Sequence, residues 1–330
     1  MQLSEIYKPI QRDLDSVEDV LRACLATEDT LVYQVSRYLL GVSGKRLRPA
    51  LVLLSSKIGG KEEEKVIYLA TAIELIHAAS LIHDDVIDKA DLRREKATVN
   101  SRWGNEFSVL FGDYVYSKAF SLLARMESSE ILSSLSRATS IMCEGEMIQI
   151  AERYNWDLSE EEYLSIIGKK TASLFSASCE LGAVLGGADS ENVHALSRYG
   201  SDFGIAFQIV DDCSDITGKE RDLGKSLGSD LKGGKVTLPM ISLLNLVPEG
   251  EKGKVKSLLQ PDGGSASQAQ IKEMMQKYKA IPYSLNRARE YIARAKEDLD
   301  LLGGSVLKEH FLHLADELLR RAVASGLCSS

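Results

Sequence analysis

Three aspartates fall within five positions in "LIHDDVIDKAD" (81–91), and the figure returns in "FQIVDDCSDIT" (207–217). On a helix, residues i and i+4 lie one above the other and i+3 is close by. Asp84 and Asp88 therefore share a face with Asp85 at its edge, and Asp211, Asp212 and Asp215 repeat the arrangement. One DDxxD pattern arises by chance in roughly 5–10% of chains this long, and two in roughly 0.5%. Both clusters follow apolar approaches, "ASLIH" and "IAFQIV", which speaks against two merely solvated faces. Carboxylates about 4 Å apart repel by on the order of 4 kcal/mol per pair at an effective dielectric near ~20. A hard divalent cation relieves that repulsion, and an all-oxygen donor set favours Mg²⁺ over zinc or copper. Magnesium keeps waters and completes its shell with phosphate oxygens. Neither cluster carries the DxDxDG loop of an EF-hand calcium site.

Positive charge gathers in the same neighbourhoods. "GKRLRP" (44–49) groups Lys45, Arg46 and Arg48, and "LRREK" (92–96) puts Arg93, Arg94 and Lys96 just past the first aspartates. "GKKT" (168–171) sets Lys170 and Thr171 among Leu, Ile and Ala. "GKSLGSDLKGGK" (224–235) offers Lys225, Lys232 and Lys235 on a glycine-rich stretch after the second cluster. Arginine forks and lysine ammoniums suit phosphate oxygens. Each basic stretch alone reads as a solvated loop. Their joint placement beside two carboxylate clusters points to a polyanionic small molecule. "GGK" lacks the GxxxxGK[ST] form and follows no strand, so it is not a P-loop.

Such groups work only if long elements deliver them. The six prolines stand at 9, 49, 239, 248, 261 and 282, so Ala50 to Leu238 has none. Without a helix breaker, that stretch can hold several long helices. Its apolar residues recur at three- and four-residue steps, as in "IYLATAIELIHAASLIHDDVID", and strand-like alternation is rare. One helix is expected from about Lys61 to about Asp88, another after Gly104, and a third ending near Arg153. Ser159 with Glu162 forms a capping-box signature, and Asp189 or Ser190 suits the cap of the helix bearing the second cluster. Loops are expected at "KADLRREKATVN" (89–100), "TGKERDLGKSLGSDLKGGKVT" (217–237) and "LLQPDGGSASQAQ" (258–270). No repeat or linker divides the chain, so the expectation is all-α and one domain over 1–330.

The totals agree. A chain of 330 residues, 44% hydrophobic and 27% charged, is globular in composition. A net charge of −8 and a pI near 5.4 argue against a nucleic-acid partner. Five scattered cysteines without a CxxC suit a reducing compartment, not a disulfide framework or zinc site. The opening "MQLSEIYKPIQRDLDS" shows no signal peptide, and no run is read as approaching the roughly 18 apolar residues of a membrane span. The expected location is cytoplasmic.

With "GKRLRP", "LIHDDVID", "DLRR", "GKKT", "FQIVDD..D" and "GKSLGSDLKGGKVTLP" in this order and spacing, the chain resembles the trans-isoprenyl diphosphate synthases, or polyprenyl synthases, over nearly its whole length. That resemblance implies a helical bundle around a deep apolar pocket and a homodimer. It implies condensation of isopentenyl diphosphate with an allylic diphosphate of geranyl or farnesyl type, releasing pyrophosphate. By the same resemblance Asp84, Asp85, Asp88, Asp211, Asp212 and Asp215 hold Mg²⁺, about three ions with substrate bound. Lys45, Arg48, His77 and Arg94 look like the isopentenyl diphosphate site. Arg93, Lys170, Thr171, Gln208, Lys225 and Lys235 look like allylic diphosphate contacts, and Arg93 and the three lysines join the first aspartates in catalysis. Read without the family, His77 is a core histidine, although it lies two turns before Asp84 on the same face.

Two departures stand out. Glu95-Lys96-Ala97 replaces the family's frequent Gly-x-Pro, and Cys213-Ser214 stands where bulkier apolar residues are common. Neither removes a ligand. The growing tail is expected to run from the aspartates past Ser80 and Ala79 toward Ile76 and Ala72, one five-carbon unit per helical turn of about 5.4 Å. Small residues at Ala79 and Ser80 leave that path open, so a long product of about C35–C45 is expected. Tyr114, Tyr116 and Phe120 are candidates for setting its depth, or for plain core aromatics. The rivals are a short-chain farnesyl or geranylgeranyl synthase, a terpene cyclase and a silent partner subunit. Cyclases replace the second aspartate cluster and silent subunits lose aspartates, whereas all six are present here.

Overall fold

The computed structural model describes residues 3–41, 44–61, 64–93, 95–217, 229–259, 264–302 and 306–322. Leu14, Val17 and Leu21, spaced three and four apart, form the buried stripe of α1 (Gln11–Cys24). The Asp29 carboxylate accepts from the Val32 amide at 2.9 Å and starts α2 (Thr30–Leu40). Then come α3 (Leu47–Gly59), α4 (Lys65–Ile87), α5 (Asn105–Arg125) and α6 (Ser129–Ala151). Next are α7 (Glu160–Ile167), α8 (Ser173–Leu185) and α9 (Ser190–Thr217), followed by α10 (Leu238–Leu246), α11 (Glu249–Leu258), α12 (Gly264–Lys277), α13 (Ala280–Asp298) and α14 (Val306–Ala322). The architecture is all-α, as expected.

The chain divides into two compact units, each drawn from three stretches. The first gathers Met1–Thr139, Leu174–Gly200 and Glu297–Leu314. Its centre is α4, which is apolar nearly all round and packs most extensively on α5, then on α3 and α1. The unit's distant stretches are tied together where His310 Nδ1 bonds the Ile6 carbonyl at 2.9 Å. The Tyr199 hydroxyl likewise donates to the Phe311 carbonyl at 2.8 Å. The second unit gathers Ser140–Ser173, Ser201–Lys296 and Ala315–Ser330. There α10 is buried on nearly every side, and Arg287 of α13 donates to Glu160 at the start of α7 at 2.6 Å.

Three expectations need correction. The segment 264–270 is not loop but the first half of α12. Its Ala and Gln residues favour helix, and Ile271 and Met275 downstream bury the same element. The stretch after the first aspartates contains a small antiparallel hairpin, Leu92–Arg93 with Lys96–Ala97. Glu95, in the two-residue connection between Arg93 and Lys96, takes φ 62°, a left-handed conformation that two-residue hairpin turns use. Finally, α4 is long and apolar enough to cross a bilayer by length and composition, so the apolar-run reading was too strict. Its most apolar window is 61% buried within the protein, as a core helix is.

Candidate active site

The first aspartate cluster sits where α4 ends. Asp88 is the C-cap, the Lys89 amide donates to the Val86 carbonyl, and the Ala90 amide donates to the Asp85 carbonyl at 2.9 Å. That pair of bonds is a Schellman motif, with Lys89 in the left-handed position at φ 51° where glycine is usual. The turn sends the chain into the hairpin, which is anchored where the Thr98 hydroxyl donates to the Ala90 carbonyl at 2.7 Å. The hairpin folds Arg93 back onto Asp85. Its Nε and Nη2 both stand 2.8 Å from Asp85 Oδ1, and Nε stands 3.1 Å from Oδ2. Asp85 is 5% exposed, while Asp84 and Asp88 are half-buried. Two predicted site residues thus meet directly.

The predicted isopentenyl diphosphate residues lie in the same unit. The Lys45 carbonyl accepts from the Tyr7 hydroxyl at 2.8 Å. Arg48 is buried, its guanidinium 4.2 Å from the centre of the Phe175 ring, and its Nε has no hydrogen-bond partner among the described residues. Burial drops this guanidinium to about 10, against the pull of Glu74. Arg46 caps α3 in left-handed conformation and bonds Glu18 at 2.5 Å and Glu74 at 2.6 Å. A cavity of about 90 Å³ lies along α4, bounded by Arg46, Glu74, His77, Leu81, Asp85 and Arg93. His77 is therefore a cavity wall and not a core histidine. Arg94 lies outside the described residues.

In the second unit, the capping box at the start of α7 is present. The Ser159 hydroxyl accepts from the Glu162 amide, and Glu162 accepts from the Ser159 amide at 2.8 Å. After α7 the helix widens into a π-turn over Gly168–Ala172, the "GKKT" stretch. Lys170 Nζ donates to Gln149 Oε1 at 2.7 Å and forms an ion pair with Glu146, both on α6. Gly145 lets α6 come this close, since a Cβ there would meet the Lys170 amide nitrogen at 2.4 Å. The Thr171 hydroxyl donates to Gln208 Oε1 at 2.8 Å, and Gln208 Nε2 donates to Asp212 Oδ1 at 2.7 Å.

Asp212 and Asp215 are buried and Asp211 is exposed. The Tyr163 hydroxyl donates to Asp212 Oδ2 at 2.6 Å. Burial first, and the charge of Asp230 second, push the Asp212 carboxyl well above the usual carboxylate range. The Tyr163 and Gln208 donors oppose them. Burial and Asp212 likewise raise the Tyr163 hydroxyl, which stays protonated as a donor. The Asp230 amide donates to Asp215 Oδ2 at 3.2 Å, and Lys235 lies 3.6 Å from the Asp230 carboxylate. Lys225 lies outside the described residues. Tyr154 caps this region: its amide donates to the Gly234 carbonyl, and any Cβ at Gly234 (φ 71°) would strike its ring at 2.4 Å.

Tyr163, Asp230, Glu146 and Gln149 escaped the sequence reading. Nothing in the sequence joins Tyr163 to an aspartate 49 residues away. Asp230 stood inside a stretch read only for its lysines, and "EMIQI" shows Glu146 and Gln149 three apart on one helix face. Among the described residues no three His, Cys, Asp or Glu side chains converge to hold an ion unaided. The donors are hard carboxylate oxygens, which fit Mg²⁺ with the rest of its shell taken from water and phosphate.

The polyprenyl synthetase family model matches residues 29–278. The chain belongs to this family. It is 35% identical over 315 residues to an octaprenyl diphosphate synthase of Haemophilus influenzae, covering 96% of each chain. It is 36% identical to a geranylgeranyl diphosphate synthase of Methanosarcina mazei, covering 97% of this chain and 98% of that one. A polyprenyl synthase from Caulobacter crescentus, solved with calcium and isoprenyl diphosphate, superposes with a TM-score of 0.93 at 31% identity. That match covers 97% of this chain and 98% of the other. This polyprenyl synthetase family member is a transferase of the trans-isoprenyl diphosphate synthase type, with the all-α isoprenoid synthase fold.

Proposed function

We propose that the protein condenses isopentenyl diphosphate with an allylic diphosphate, of geranyl or farnesyl type, into an all-trans polyprenyl diphosphate of about C35–C45. The observation that carries this reading is the wiring of both helix ends. Each aspartate cluster terminates a long helix after an apolar approach, and each is bonded into cationic or amide groups suited to a diphosphate. Asp84, Asp85, Asp88, Asp211, Asp212 and Asp215 would hold Mg²⁺, which when bound neutralises the departing pyrophosphate. Arg93, Lys170 and Lys235, with Lys225, grip the allylic diphosphate and favour the pyrophosphate over the intact ester as the C–O bond opens. Thr171 and Gln208 orient it. Lys45, Arg48, His77 and Arg94 seat the isopentenyl diphosphate so that its double bond attacks the allylic cation. The proton then lost goes to the departing pyrophosphate, and no protein nucleophile is needed. The stretches after each cluster exclude water from the cation.

We further propose a single polyprenyl synthase domain over 1–330, in the cytoplasm, as a homodimer. The small side chains of Ala79 and Ser80 are what supports a tail path along α4 toward Ile76 and Ala72. The test is a magnesium-dependent assay with labelled isopentenyl diphosphate and farnesyl diphosphate, with chromatography of the product. A ladder ending at about C35–C45 is expected. Arrest at farnesyl or geranylgeranyl length would make this a short-chain synthase, a cyclised hydrocarbon a cyclase, and no turnover without a second protein a partner subunit.

A further inference from the structure

We propose that Tyr163 is a positioning residue for metal binding, fixing Asp212 through its hydroxyl; this rests on the function proposed above. The Tyr163 ring is among the largest fully buried side chains, and the hydroxyl's placement is set by the capped first turn of α7. From there it donates to Asp212 Oδ2 at 2.6 Å while Gln208 Nε2 donates to Oδ1 at 2.7 Å. Both oxygens of one buried carboxylate are thus held by neutral donors, and the rotamer is fixed before any ion arrives. A carboxylate oxygen keeps a second lone pair after accepting one hydrogen bond, so the pinned group can still ligate. Gln208 in turn accepts from Thr171 at 2.8 Å, which extends the relay from Tyr163 through Asp212 to the π-turn that carries Lys170. Donors behind a metal ligand orient it, and losing one typically weakens metal binding on the order of 10- to 100-fold.

The deciding experiment titrates the full-length protein with Mn²⁺ in the presence of inorganic pyrophosphate, reading free Mn²⁺ by electron paramagnetic resonance. Tyr163→Phe, which keeps the ring and drops the hydroxyl, is expected to weaken Mn²⁺ binding by about tenfold. Tyr199→Phe is the control. It also loses a buried hydroxyl, one that donates to the Phe311 carbonyl at 2.8 Å, and should bind as wild type does. Substituting 4-aminophenylalanine at position 163 supplies a weaker donor of the same shape and should fall between wild type and Tyr163→Phe. If Tyr163→Phe fails to fold, the amino variant carries the test, with weakened binding in support and wild-type binding against. Equal binding by wild type and Tyr163→Phe, or equal losses in Tyr163→Phe and Tyr199→Phe, overturns the inference alone. A wild-type protein that binds no Mn²⁺ with pyrophosphate overturns the proposed function with it.

Discussion

Arg93 and Asp85 show how much depends on the shape of one side chain. A guanidinium spans both carboxylate oxygens at once, and a lysine ammonium can only touch one as a point charge. The pair lies at the end of α4 beside the cavity, where the same fork can turn from carboxylate to phosphate. Arg93→Lys should therefore lower kcat/KM for the allylic substrate by roughly tenfold or more, about 1.4 kcal/mol of transition-state binding. Its melting temperature should stay within about 2 °C of wild type, because lysine keeps a positive charge beside the buried Asp85 and leaves no uncompensated carboxylate. Steady-state kinetics beside a thermal melt check both statements. Equal kinetics would remove Arg93 from the site.

The helix-level features are the caps and turns, and two of them can be perturbed cleanly. Lys89 holds a left-handed backbone conformation that costs a residue with a Cβ about 1 kcal/mol, and its Schellman bonds are backbone only. Lys89→Gly should stabilise the fold by about 0.5–1 kcal/mol in urea unfolding; a loss of stability would contradict the C-cap geometry. Along the same helix, Ala79 is fully buried one turn before the aspartates. A phenyl ring there would block the proposed tail path, so Ala79→Phe should shorten the product by several five-carbon units while elongation from short primers continues. Unchanged chain length would reject α4 as the wall of that path. These elements were also the legible part of the sequence. The run of three- and four-residue steps without proline gave both ends of α4, the start of α5 and the end of α6 to within a few residues, because long periodic segments carry a strong local signal. The 92–97 hairpin and the first half of α12 were missed because two-residue strands leave no periodic trace and because Gly-Ser punctuation outweighed the Ala and Gln beyond it. Aspartates and cations were legible by type and spacing. Tyr163 and Asp230 were not, since their meaning lies in contacts that only folding creates.

At the scale of the whole molecule, α5 leaves Leu110 69% exposed and Phe120 36% exposed, ten residues apart on the face shared with Asp113 and Ser117. Apolar groups left in water at helical spacing are what an interface between copies would cover. Leu110→Glu should shift the protein from dimer to monomer in sedimentation velocity without unfolding it; a wild-type monomer would defeat the homodimer reading. A different consequence follows from the bond between His310 and Ile6, 304 residues apart. At a synthesis rate of about 5–20 residues per second, the Ile6 carbonyl waits roughly 15–60 s for His310 to be made. Through that interval α4 already has its main packing partners α1, α3 and α5, whereas the Ile6 segment still lacks its C-terminal partner. The Ile6 segment of a nascent chain should thus gain protection from proteolysis only after His310 has emerged.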